Sequence, residues 1–253
     1  MKLAEIFDWL PGLRKRRILS MREAESRFTQ IFHTNYWGDR ESKSGFGSSL
    51  KATETIRTKL PEIFKQYQIK IVFDAPCGDF NWMQQVIGNT STRYIGGDIV
   101  EPLVVENEAR FASNNITFQK FDITKNSFPK ADIWLCRHCL FHLSYDHIAS
   151  ALSLFMSSDI PLLATTSHIP TSKKIINSNI VTGDFRLIDL FDEPFNFPRN
   201  HLFACDDYIS PDPPMGLFLW SRDQLLKPIE AFLTLTNRHN THRHVGLPLG
   251  GPP

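Results

Sequence analysis

Three short apolar runs in this chain each end in an aspartate, and stretches of helical periodicity separate them. Ile69-Lys70-Ile71-Val72-Phe73 leads into Asp74, Tyr94-Ile95-Gly96-Gly97 into Asp98, and Ile116 to Phe121 into Asp122. Runs of this length, rich in β-branched and aromatic residues, read as strands. Trp82–Ile87 and Leu103–Ala112 read as the helices between them. A strand at Ala131–Cys136, a helix at Tyr145–Met156 and a strand at Ile160–Thr166 follow. Such alternation predicts βαβ units, hence an α/β fold with a mainly parallel sheet and helices on both faces. In open sheets of this kind ligands bind outside the carboxyl ends of the strands, which is where the three acids fall. An N-cap for the following helix competes as an explanation of Asp98. The same device at three strand ends favours a site.

The first turn separates cofactor classes. A dinucleotide fold uses Gly-x-Gly-x-x-Gly to bring pyrophosphate onto backbone N–H groups and a helix N-terminus. Here the turn is Asp74-Ala75-Pro76-Cys77-Gly78-Asp79-Phe80, with one glycine between acids. Carboxylates there repel a pyrophosphate and suit a ligand bearing an ammonium and a sulfonium, which points to S-adenosylmethionine and away from NAD.

The decapeptide Asp74-Ala75-Pro76-Cys77-Gly78-Asp79-Phe80-Asn81-Trp82-Met83 resembles motif I of the class I S-adenosylmethionine-dependent methyltransferases. More narrowly, it resembles a subgroup associated with bacterial glycan and capsule gene clusters. Trp37 with Ser44–Leu50 is similar to the upstream loop of that subgroup, and Tyr94–Ile99 to its second-strand motif. Cys136–Ser144 is similar to its fourth-strand motif, and Thr182–Arg186 with Pro194–Pro198 to a downstream signature. The resemblance spans about residues 36–222 and implies a Rossmann-like, seven-stranded sheet with one antiparallel strand near an edge. The residues alone support five or six strands. By position, Asp74, Pro76, Gly78, Asp79 and Trp82 would surround the amino-acid end of the cofactor. Asp98 with Ile99 would hold the ribose, and Asp122 with Ile123 the adenine. Trp37 and the loop through Ser49 would close over the site, and Arg137 would join it from the fourth strand. The subgroup usually has Arg-Asp where this chain has Arg137-His138, and Asn-Asp-Ile where it has Asn177-Ser178-Asn179-Ile180. Both changes replace a carboxylate, so His138 and Asn179 are candidates for an altered acceptor site.

Methyl transfer to a hydroxyl requires a proton acceptor, and a histidine titrating near neutrality is the natural choice. His142, just past the fourth strand, is the first candidate and His168, after the fifth, the second. A capping or packing histidine is the competing account of His142. Asp184 and Arg186 suit an acceptor bearing hydroxyls or phosphate, although a structural ion pair accounts for them nearly as well. Cys136-x-x-Cys139-x-x-His142 imitates zinc spacing, but structural zinc favours a compact loop and these cysteines flank an apolar strand. No metal site is assigned.

The flanks carry less information. Residues 1–35 read as a helical extension: Leu3, Ile6, Phe7 and Leu10 share a face, Pro11-Gly12 interrupts, and Arg14–Arg17 forms a basic run. That run suits either a solvated helix face or contact with anionic lipid. A helix is expected from Ser49 to Gln66, kinked or divided at Pro61. Residues 36–236 form the expected catalytic domain, with Leu217–Trp220 as a further strand and Gln224–Leu235 as a final helix. Residues 237–253 are expected to be disordered. A net charge of +1 and the lack of a basic stripe disfavour nucleic acid. No apolar run approaches bilayer length, and Glu5 and Asp8 interrupt any signal-like stretch, so a cytoplasmic location is expected. These features together point to an O-methyltransferase acting on a small polar acceptor, by resemblance a sugar or sugar nucleotide. N-methylation and a silent binding module are the alternatives.

Overall fold

In the computed structural model, residues 11–209 and 213–244 are described. The apolar helix face at Leu3–Leu10 and the last nine residues lie outside them. Two helices, α1 (Pro11–Ser20) and α2 (Ala24–His33), precede a short 3-10 turn at Phe46–Ser48 and α3 (Glu54–Gln66). The sheet then builds as β1 (Ile71–Asp74), α4 (Met83–Ile87), β2 (Arg93–Asp98), α5 (Glu101–Phe111), β3 (Ile116–Lys120), β4 (Ile133–Cys136), α6 (Tyr145–Met156) and β5 (Leu162–His168). Edge strand β6 (Phe203–Asp206), β7 (Met215–Ser221) and α7 (Arg222–His244) complete it.

The seven strands lie in the order β3-β2-β1-β4-β5-β7-β6. β1 to β5 are parallel, and β7 runs antiparallel to both β5 and β6. Chain order reverses between β1 and β4, so the crevice at their carboxyl ends is the topological switch point. Successive side chains on a strand point to opposite faces, and the core divides accordingly. Phe73, Trp134, Phe218 and Trp220 pack with α6 and α7, while Val72, Ile133, Leu135, Leu217 and Leu219 pack with α3 and α4. Both faces are covered, which is why the strands read as nearly unbroken apolar runs.

Three expectations are corrected. Pro61 does not divide α3, which continues from Glu54 to Gln66; proline removes one N–H, and buried Leu60, Ile63 and Phe64 hold the helix on the core. The helix also starts after Thr53, because Ser49 belongs to the preceding turn. Residues 237–244 are not an unstructured tail: they extend α7, since the stretch has no Gly or Pro before Gly246 to end it. Nothing in the sequence predicts β6. It has four residues, only half buried, inside a Pro- and Phe-rich stretch, and so carries little strand signal. The long connection from β5 to β6 still belongs to the core. Ile188, Leu190, Phe195 and Phe197 are buried along it, and the Ile188 carbonyl accepts a hydrogen bond from the His168 N–H at 2.8 Å.

Candidate functional site

A cavity of about 550 Å³ opens at the carboxyl ends of β1 to β5, within the roughly 300–1,000 Å³ usual for small-molecule sites. Asp74 from β1, Asp98 from β2 and Asp122 after β3 line one side of it. Arg137 and His138 after β4, His142 beyond them and His168 at the end of β5 line the other. Pro76, Gly78, Trp82, Ile99, Ile123 and Trp37 also face it.

Asp74 and Asp98 are 3% and 5% exposed. The Tyr94 hydroxyl donates to Asp74 Oδ2 at 2.7 Å. Burial lifts the Asp74 carboxyl to about 7, opposed by that hydrogen bond and by the Arg137 charge. Asp98 accepts from the Gly78 N–H on one oxygen and the Val100 N–H on the other, both at 3.0 Å. Burial raises it to about 6 against these bonds. Two buried carboxylates in this state gain from a cationic neighbour, because an opposite charge favours the ionised form. Asp122 is more committed: its Oδ1 accepts from both the N–H and the hydroxyl of Thr124, and Lys125 lies 3.3 Å from Oδ2.

Asp79 sits elsewhere, which corrects its expected cofactor contact. It does not line the cavity but ties down the Ser/Gly loop, accepting from the Ser42 hydroxyl at 3.1 Å, the Lys43 N–H at 2.8 Å and the Ser44 hydroxyl at 3.4 Å. Gly78, in the left-handed region at φ +56°, leaves no room for a side chain: a Cβ there would lie 2.3 Å from Ser44 Oγ. Ser49 is also outside the cavity, buried in the turn before α3, where its hydroxyl oxygen accepts from the Ala52 N–H at 3.2 Å. The loop expected to act as a flap is therefore anchored at several points.

Asp207, after β6, was missed. It lies between Arg137 and His138, with its side chain out of solvent. Arg137 Nε donates to it at 3.0 Å and Nη2 at 2.7 Å, and Nη2 also reaches the Gly47 carbonyl at 2.7 Å. The guanidinium lies 5.1 Å from the Trp82 ring centroid. His138 Nε2 is 3.2 Å from Asp207 Oδ2. Burial pushes the Asp207 carboxyl up, but Arg137 and His138 outweigh it and hold the carboxyl at about 2. A carboxylate from just beyond β6 thus lies against both Arg137 and His138. No local pattern announces it, since the residue is distant in sequence and follows a strand that carries little signal itself.

The two candidate histidines are held in opposite tautomers. His142 Nδ1 lies 2.8 Å from the Asp184 carbonyl, which can only accept. Nδ1 therefore carries the proton and Nε2 the lone pair. The Ile188 N–H donates to His168 Nδ1 at 3.1 Å, so His168 carries its proton on Nε2. Burial lowers each to about 4, and both are neutral at pH 7. The expectation of a histidine titrating near neutrality is corrected accordingly.

Three expected acceptor contacts have structural duties away from the cavity. Arg186 is buried and donates to the Leu143 and Leu140 carbonyls. Asp184 pairs with Lys15 of α1. Asn179 Oδ1 accepts from the Tyr145 and Ile180 N–H groups at 2.8 and 2.9 Å, which an amide oxygen does as well as a carboxylate. Cys136 and Cys139 are buried free thiols, and among the described residues no group of three His, Cys, Asp or Glu side chains is arranged to hold a metal ion. Among those residues, no helix is long and apolar enough to cross a membrane.

No protein-family model and no curated protein matches the chain. Solved structures do. A Leishmania major S-adenosylmethionine-dependent methyltransferase superposes with a TM-score of 0.57 at 8% identity, over 83% of this chain and 90% of that one. Burkholderia thailandensis 1,6-didemethyltoxoflavin-N1-methyltransferase, with bound 1,6-didemethyltoxoflavin and S-adenosylhomocysteine, gives 0.55 at 14% identity, over 84% and 90%. Magnesium protoporphyrin IX methyltransferase from Synechocystis PCC 6803, with bound S-adenosylmethionine, gives 0.51 at 16% identity, over 86% and 94%. At such identities the likeness carries the architecture, and the strand order agrees with it: this chain has the Rossmann-like class I methyltransferase fold.

Proposed function

We propose that the protein is an S-adenosylmethionine-dependent O-methyltransferase acting on a small acceptor. The observation that carries this reading is the pair of buried, raised carboxylates, Asp74 and Asp98, on one wall of the switch-point cavity. Their charge and position fit a ligand with an ammonium and a sulfonium. Asp74 and the Gly78 turn would hold its amino-acid end, Asp98 its ribose, and the Asp122–Ile123 segment its adenine. The cofactor supplies a methyl group on a sulfonium. In the transfer a C–S bond breaks, its electron pair stays on sulfur, and a C–O bond forms to the acceptor hydroxyl.

His142 Nε2 receives the hydroxyl proton. An imidazole held near 4 is a weak base toward a resting alcohol, so the proton moves only as the new bond forms and the oxygen becomes strongly acidic. The Asp184 carbonyl fixes the tautomer and stabilises the imidazolium that results. His168 Nε2–H faces the same side as a donor. A sugar, free or nucleotide-linked, is the acceptor class implied by the sequence resemblance.

Isothermal titration with S-adenosylhomocysteine tests the cofactor assignment, and absence of binding defeats the reading. Release of S-adenosylhomocysteine in the presence of a hydroxyl acceptor tests the enzyme, with His142→Ala expected to lower kcat by about 10²–10⁴-fold at unchanged cofactor affinity. Equal turnover in that variant removes His142 as the proton acceptor.

A further inference from the structure

Beyond the ends of β4 and β5 the cavity wall is built from rings. Trp37, 37% exposed, and Phe185, 53% exposed, stand at its rim. Their centroids lie 5.4 and 5.9 Å from that of His142. Phe141 packs beneath, 5.5 Å from Phe185 and 5.3 Å from His168. Exposed aromatic rims present flat apolar faces to a ligand.

The polar groups in contact with these rings include the neutral imidazoles of His142 and His168. His168 is 1% exposed, yet its Nε2–H makes no hydrogen bond among the described residues, and neither does His142 Nε2. One is a donor and the other an acceptor, which matches a single hydroxyl giving one hydrogen bond and taking another. Among the described residues, two Lys or Arg side chains line the cavity, and each is already paired: Lys43 with Glu106 at 2.8 Å, and Arg137 with Asp207 at 2.7 Å. A phosphate needs an available guanidinium, ammonium or run of N–H groups. Added beside the aspartates of this cavity, it would meet like charge and no counter-charge.

Resting on the methyl-transfer reading, we propose that the acceptor is an uncharged ring compound bearing a hydroxyl. Its flat face lies against Trp37 and Phe185, its hydroxyl bridges His142 Nε2 and His168 Nε2–H, and phosphorylated or nucleotide-linked acceptors are rejected. A pyranoside and a phenol share this chemistry: each has an apolar face and a ring hydroxyl.

Affinity for S-adenosylhomocysteine is measured first, and the loaded protein is then titrated with phenyl β-D-glucoside, 2-naphthol, glucose 1-phosphate and UDP-glucose. The two neutral rings, or one of them, should bind at least tenfold more tightly than either phosphorylated compound. Phe185→Ala should weaken that binding about tenfold and leave S-adenosylhomocysteine affinity unchanged. Phe185 is half exposed, so its loss spares the fold. Methyl transfer to the glucoside or to the naphthol then identifies the ring. Tighter or equal binding of glucose 1-phosphate or UDP-glucose overturns the inference, as does failure of both neutral rings to bind, or indifference to Phe185→Ala. Failure to bind S-adenosylhomocysteine instead defeats the methyl-transfer reading itself.

Discussion

Replacing Asp207 by Asn should be among the most damaging single changes in the cavity wall, although the residue does not face the cavity. The Arg137–Asp207 pair has side-chain exposures of 4% and 0%. Holding the carboxyl at about 2 against an ordinary 3.8 corresponds to about 2–3 kcal/mol, at 1.36 kcal/mol per pH unit. Asn removes the counter-charge and leaves the buried guanidinium one amide oxygen, the Gly47 carbonyl and the Trp82 face for partners. Loss of one member of a buried pair typically costs about 3–5 kcal/mol. In a chain of this length each kcal/mol moves Tm by about 2–4 °C, so a drop of roughly 6–20 °C is expected. Urea and thermal unfolding of Asp207→Asn, Arg137→Met and the double variant close the cycle. The double variant should recover most of the loss, since an amide beside a thioether leaves no orphaned charge. The sign of the pH effect is fixed as well. A carboxyl held below its ordinary value stabilises above about pH 4, and that contribution disappears as pH falls towards 2. An Asp207→Asn protein melting within 2 °C of wild type, or a double variant no better than the singles, would refute the reasoning.

Three further outcomes follow from the same geometry. Burial holds Asp74 at about 7, so S-adenosylhomocysteine, whose ammonium needs the ionised carboxylate, should bind more tightly as pH rises from 5.5. The gain should approach tenfold per unit and level off above pH 7, and a flat titration profile would exclude Asp74 from the contact. Gly78→Ala puts a methyl group at φ +56° and 2.3 Å from Ser44 Oγ; a loss of about 1–3 kcal/mol in urea unfolding and of at least tenfold in cofactor affinity is expected. Asp79→Ala frees three donors on the Ser42–Ser44 segment. Proteolysis should then cut first in that loop, at a stability cost of about 1–3 kcal/mol; an unchanged cleavage pattern would argue against Asp79 as its anchor.

Local sequence was enough for the five parallel strands of the sheet and for one wall of the cavity. Strands with both faces buried read as apolar runs, each turn carries its own glycine or acid, and parallel strands place all their carboxyl ends on one side. Asp74, Asp98 and Asp122 meet for that reason alone. Bond partners, by contrast, are not local. Asp79 has the same residue type and nearly the same position as Asp74, yet it turns to the upstream loop because three donors wait there. Arg186 spends its charge on backbone carbonyls left over at Leu140 and Leu143. The tautomers of His142 and His168 depend on a carbonyl and an N–H brought up by the long connection after β5. Asp207 reaches Arg137 only because β7 reverses and lays β6 at the sheet edge. The chain's own residues determined a switch-point cavity with acids on one side. Only the tertiary structure decided which of its charges remain available to a ligand, because that depends on which partners the fold has already assigned to them.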